Sequence, residues 1–196
     1  MAVLKLNNVT TLIESSGALT LANTALGTPT SVTLTNATFP AGHIIQTAYF
    51  SNDYEISYTG NTNAHDIESS SGVTWVASIT TSSTSNHIVV IPTMHITGGA
   101  SGNQDNRGHF HGLMDKNGAG YAQVYNGYYS IGVYDYGGSG IFSNLPYNHI
   151  FRVSPNFAGI CNFKFTITAN NSSSILKFNY PSTTQEASII LMEIKG

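Results

Sequence analysis

The residues best placed for chemistry are His109 and His111, separated by Phe110. In a strand, positions i and i+2 share a face, so both imidazoles project together and Phe110 points the other way. Two histidines do not complete a metal shell in one chain. Three copies around a threefold axis would gather six imidazoles, an octahedral set for a transition-metal ion, with ordinary polar surface or loop packing as the alternative. The other histidines, His43, His65, His87, His95 and His149, are scattered and read as surface or satisfied sheet positions.

A second concentration lies between residues 121 and 136, where Tyr121, Tyr125, Tyr128, Tyr129, Tyr134 and Tyr136 crowd one run. Tyrosine offers a flat apolar ring and a hydroxyl at low entropic cost, which suits protein interfaces and sugar stacking. Tyr125, Tyr128, Tyr129, Tyr134 and Tyr136 are therefore the candidate receptor or interface surface, with core packing at alternate positions as the competing account. Either Tyr128 or Tyr129 must face outward, because adjacent strand residues cannot both face a core.

Catalytic frames are not legible. Asp53 and Glu55 would alternate on one face of a strand, which suits a solvated surface as well as an acid/base pair. No Gly-x-Ser-x-Gly elbow occurs between a strand and a helix. Gly118-Ala119-Gly120 and Gly137-Gly138-Ser139-Gly140 lack a following helix to hold phosphate. Cys161, the single cysteine, cannot form an internal disulfide, and its neighbours Ile160 and Phe163 suggest a packed small side chain. The expectation is a protein that is not an enzyme and needs no cofactor, an axial metal ion being the one exception.

These groups sit in an unusual background. Charged residues make up 9% of the 196 positions, where a soluble domain ordinarily carries roughly 25%. Hydrophobic residues at 41% supply a core, so disorder is excluded for the bulk of the chain. A net charge of -3 with 7 Lys plus Arg gives no basic footprint for nucleic acid or for an anionic membrane surface. No stretch approaches the roughly 20 apolar residues of a membrane helix, and Met1 to Thr11 does not read as a signal peptide.

Helical periodicity is nearly absent, and short alternating runs recur between Gly, Asn, Ser and Pro clusters. Strands are expected at Val32 to Phe39, His43 to Phe50, Tyr54 to Tyr58, Val73 to Ile79, His87 to Ile91 and Tyr121 to Tyr136, the last with bends or bulges at Gly127 and Gly132. From Asn162 to Asn170, Phe163, Phe165 and Ile167 point inward and Lys164, Thr166 and Thr168 outward; Leu176 to Tyr180 should complete a hairpin with this run. Residues 188 to 194 are apolar on both faces until Glu193, as for a strand in mid-sheet with both faces covered. Gly98 to Gly120 reads as one long excursion or loose hairpin with a brief Gly108 to Phe110 segment. The expected class is all-β, a sandwich, jelly roll or barrel. Residues 1 to 40, with strands at Val3 to Leu6 and Ala18 to Leu21, form either extra edge strands or an arm docking by strand addition, and 41 to 196 the compact domain.

Three segments carry a resemblance. Phe39-Pro40-Ala41-Gly42-His43-Ile44-Ile45-Gln46, the run from Ala77 to Val90, and Ala187 to Lys195 resemble virion structural proteins of tailed bacteriophages, marine ones especially. The similarity covers roughly residues 40 to 196. It implies a jelly-roll head of tumour-necrosis-factor or C1q type, trimeric at a tail-fibre tip, as a knob, or as a decoration on the capsid. It also implies attachment to other virion proteins through the N-terminal segment, possible contact with a host-surface glycan, synthesis in the host cytoplasm without a signal peptide, and no catalytic residues. The His109/His111 pair is similar to metal-binding pairs of some phage spikes and fibres. From a different class, a carbohydrate-binding module or glycan-processing enzyme stands as the alternative.

Overall fold

The computed structural model describes residues 2–6, 9–15, 18–21, 40–59, 63–100, 105–134, 143–169, 174–179 and 186–196. The chain divides into two compact units, Met1–Thr38 and Phe39–Gly196. In the first, β1 (Ala2–Leu6), β2 (Val9–Ser15) and β3 (Ala18–Leu21) form their own antiparallel sheet in the order β1-β2-β3. β2 lies between the two strands expected in this segment. The described strands of this unit pair with one another. The expected strand from Val32 to Phe39 lies outside the described residues.

The second unit begins with β4 (Ile44–Asn52), β5 (Ile56–Thr59), β6 (His65–Asp66), β7 (Glu68–Ser70), β8 (Val73–Thr74) and β9 (Val76–Thr81). It continues with β10 (His87–Ala100), β11 (Asp105–Lys116), β12 (Ala122–Tyr134), β13 (Ser143–Asn148), β14 (Phe151–Val153), β15 (Gly159–Ala169), β16 (Ser174–Phe178) and β17 (Ala187–Ile194).

One sheet runs β4-β17-β10, with β13 and β14 end to end along the far side of β10. The other runs β12-β11-β15-β9. Counted along the chain as eight long strands, with β13 and β14 as one, the sheets read 1-8-3-6 and 2-7-4-5. Apart from the β11–β12 hairpin, every step changes sheets, which is the double Greek key of a jelly roll. The fold is therefore an all-β jelly roll. β16 and β5 extend the first sheet past β10, and β6 continues the line of β9 along β15.

Local chemistry explains the joints. β13 and β14 are one strand interrupted at His149 and Ile150, opposite Pro92 in β10. Pro92 has no N–H to give, so the pairing is interrupted there without a change of register, and the His149 N–H still donates to the Pro92 carbonyl at 3.2 Å. The expected strand from Val73 to Ile79 breaks at Trp75, whose N–H donates to the Ile67 carbonyl while its ring is buried. Asn117 and Gly118 both have positive φ, 51° and 82°, and close the β11–β12 hairpin as Asn-Gly turns do.

Three expectations are corrected. Gly98 to Gly120 is not an excursion: β10 runs on to Ala100, and β11 is a twelve-residue strand in mid-sheet. Glycines at 98, 99, 108 and 112 masked its pattern, although Phe110 and Met114 face the core. β15 and β16 are not a hairpin, because they belong to opposite sheets. Asp53 and Glu55 fall between β4 and β5 rather than on a strand face. Gly127 does adjoin a register shift in the β11–β12 pairing, whereas Gly132 pairs regularly with Arg107.

Both sheets fill the core. Ile88, Val90, Ile189 and Leu191 from the first meet Phe110, Phe163, Phe165 and Ile167 from the second, all at 1% exposure or less. The alternation expected for β15 holds, with Phe163, Phe165 and Ile167 inside, though Thr166 on the opposite parity is also buried.

Candidate functional site

Since Phe110 is inward, His109 and His111 stand on the outer face of the second sheet. Their rings stack 6.0 Å apart at 7° between planes. His109 pairs in register with Thr168, and His111 with Thr166 on one side and Asn126 on the other. Burial holds the His111 imidazole below its ordinary pKa, the adjacent His109 adds to this, and a hydrogen bond with Asn126 opposes it. His111 Nδ1 and Thr168 Oγ1 are buried without a hydrogen-bond partner. Among the described residues no group of three or more His, Cys, Asp or Glu gathers in metal-binding range. A metal here would need ligands from other copies.

The same sheet carries Lys164, whose Nζ lies 2.9 Å from Asp66 Oδ2 and 4.7 Å above the Tyr121 ring. Thr74 Oγ1 donates to the same carboxylate oxygen at 3.1 Å. Below the β11–β12 turn, Asp115 accepts from the N–H groups of Gly118 (2.9 Å) and Gly120 (2.7 Å). Burial alone would raise its carboxyl, but these bonds prevail and hold it below the usual range.

Tyr125 is half-buried. Its ring packs on the core edge against Phe151 (4.7 Å) and His149 (4.4 Å), and its hydroxyl lies 3.1 Å from that of Tyr147. A register shift between Gly112 and Leu113 re-aims this part of β12. Tyr128, Tyr129 and Tyr134 belong to β12, but their side chains, and Tyr136 altogether, lie outside the described residues. Of the scattered histidines, His65 stacks on Tyr58 at 4.5 Å with a buried, unpartnered Nε2, and His87 Nδ1 meets Ser154 Oγ at 2.9 Å. Cys161 is fully buried, and burial pushes its thiol up.

At the end of the sandwich, Glu193 is buried without a cation. Its Oε1 accepts from Ser82 N (2.6 Å), Ser82 Oγ (2.8 Å) and Asn86 Nδ2 (2.6 Å), and its Oε2 from Gln46 Nε2 (2.6 Å). The desolvation that would raise this carboxyl is outweighed by the donors, which hold it below the usual range.

The surface missed from sequence is the outer face of the first sheet. Ala187, Ile189, Leu191 and Glu193 point inward, so Ile190, Met192 and Ile194 point out and are half-buried. Registers set three rows across the sheet: Tyr49–Ile190–Ile91, Thr47–Met192–Val89 and Ile44–Ile194–His87. Tyr49 is 62% exposed and Ile44 49%. The signal was present in the two-faced apolar run of β17, whose outward residues are half-buried among the described residues.

No protein-family model matches this chain, and no curated protein matches it. Among solved structures it is similar to a chain of infectious bursal disease virus, Gx strain, at 12% identity and TM-score 0.37, over 91% of this chain and 45% of that one. Infectious bursal virus-derived T=1 particles give 13% identity and TM-score 0.36, over 91% and 45%. The infectious bursal disease virus VP2 subviral particle gives 14% and 0.33, over 78% and 38%. The chain spans less than half the length of each. The jelly-roll assignment rests on the strand order above, independently of these likenesses.

Proposed function

We propose that this chain is a structural component of a bacteriophage virion: a homotrimeric knob or short fibre of the tail that takes part in attachment to the host surface and is joined to its neighbours through the Met1–Thr38 unit. The observation that carries this reading is the complete jelly roll, an architecture used by viral coat and lectin domains, in a chain where 9% of residues are charged. Like charges repeated around an axis repel, and buried ion pairs cost desolvation; Ser, Thr and Asn keep a surface wet without either penalty. A capsid decoration protein is the second reading, supported by the same features.

The purified chain tests it. A trimer that persists on heating in detergent supports a particle component, whereas a monomer retained on a glycan column would favour a carbohydrate-binding module.

A further inference from the structure

We infer that copies of this chain assemble through the outer face of the first sheet, with Tyr49, Ile190, Ile91, Met192 and Val89 at the centre of the contact; this rests on the proposal that the chain is a homo-oligomer. The face is continuous. Ile190 is flanked in register by Tyr49 and Ile91, and Met192 by Thr47 and Val89, so apolar groups adjoin across three hydrogen-bonded strands.

Its size fits one occupant. Four strands spaced about 4.8 Å apart, each presenting about eight residues at about 3.3 Å, make a face of roughly 500 Å² before side-chain relief is added. This is the whole face, Thr47 and Arg152 included; it is of the order of the largest patches on monomers, which are often functional, and below the roughly 800 Å² per partner of a stable interface before side-chain relief is counted.

Charge points to a second copy. The three rows carry no Asp, Glu, Lys or Arg. The nearest charges are Arg152, which continues the Met192 row in register beside Val89 on β14, and Glu186 and Lys195 just beyond the two ends of β17. A neutral apolar face meets its own copy without like-charge repulsion, while an anionic lipid surface or an acidic partner would call for a basic cluster that the rows do not contain. The outer face of the second sheet contrasts with it, bearing Lys164, Asp66, His109, His111 and Thr168. Because the two sheets of a sandwich stand about 10 Å apart, an assembly built on the first sheet leaves the histidine pair facing away from the contact.

The test uses the full chain with single cysteines introduced on either sheet, Met192→Cys and His111→Cys, treated with a long-spacer bismaleimide and read on a denaturing gel. Cys161 is fully buried and stays silent. The expected result is a covalent dimer from Met192→Cys, the limit for one reactive thiol per chain, and none from His111→Cys. Absence of cross-linking at position 192, or cross-linking at 111, overturns the inference. The sedimentation mass of the unmodified chain then separates the failures: an oligomer keeps the homo-oligomer proposal and moves its contact elsewhere, and a monomer removes both. In parallel, Met192→Lys, an outward position, should raise the dissociation constant about 30-fold or more with the β circular-dichroism spectrum retained.

Discussion

Asn86 Nδ2 donates to Glu193 Oε1 at 2.6 Å across 107 positions of sequence, tying the turn between β9 and β10 to the last strand. The last strand lies between β4 and β10, so this clamp fixes the strand on which the outer apolar rows depend. Replacing Glu193 with Ala removes the acceptor shared by the buried Asn86 amide and the more exposed Ser82 and Gln46, and should cost about 1–2 kcal/mol in urea denaturation at pH 7.

The same carboxylate sets an acid limit. Its folded pKa lies below the ordinary 4.5, so the unfolded chain takes up the proton first as pH falls. Its contribution is complete above about 4.5 and is lost as pH drops through the depressed folded value. Denaturation midpoints measured from pH 6 to about pH 3 should fall for the native chain, and by less for Glu193→Gln.

Gly112 keeps the sandwich closed over its aromatic edge. A Cβ there would stand 3.1 Å from Phe151 Cζ, 3.2 Å from Tyr125 Cβ and 3.4 Å from Phe165 Cε1. Gly112→Val should therefore destabilise by about 1–3 kcal/mol, read as a lowered thermal midpoint, because three rings cannot all retreat from a packed core.

Cys161 should be inert in the native state. Burial both hides its thiol and raises its pKa. Thiol titration is expected to find no reaction under native conditions and one thiol per chain in denaturant.

An assembly built on the first sheet would hold the histidine pairs away from its contact, so six imidazoles would not converge on an axis. Metal analysis of purified protein should find no stoichiometric iron, zinc or nickel, and His109→Ser with His111→Ser should leave the assembly mass unchanged. Assembly should also depend weakly on salt, since its contact rows lack charge.

The all-β class and most strands were legible because alternation survives in runs such as Phe163-Lys164-Phe165. The sheet assignment was not, because a jelly roll pairs strands distant in sequence: β4 with β17, and β9 with β15. β11 was hidden because Gly108 and Gly112 occupy inward positions that usually announce a strand with large side chains. At the candidate site, the shared face of His109 and His111 followed from spacing alone. Tyr125 did not, since the register shift that turns it inward leaves no mark in composition. The mid-sheet place of the last strand was legible from its two-faced apolar run, but not what covers its outer face, since an apolar strand looks the same whether its own chain or another copy covers it.

The most direct measurement labels intact virus particles with an antibody against the jelly-roll unit and images them by electron microscopy. Label at the tail tip is the predicted result. Label on the capsid shell would replace the tail reading with decoration, and particles that remain unlabelled while the same antibody detects the chain free in the infected-cell lysate would contradict a virion role.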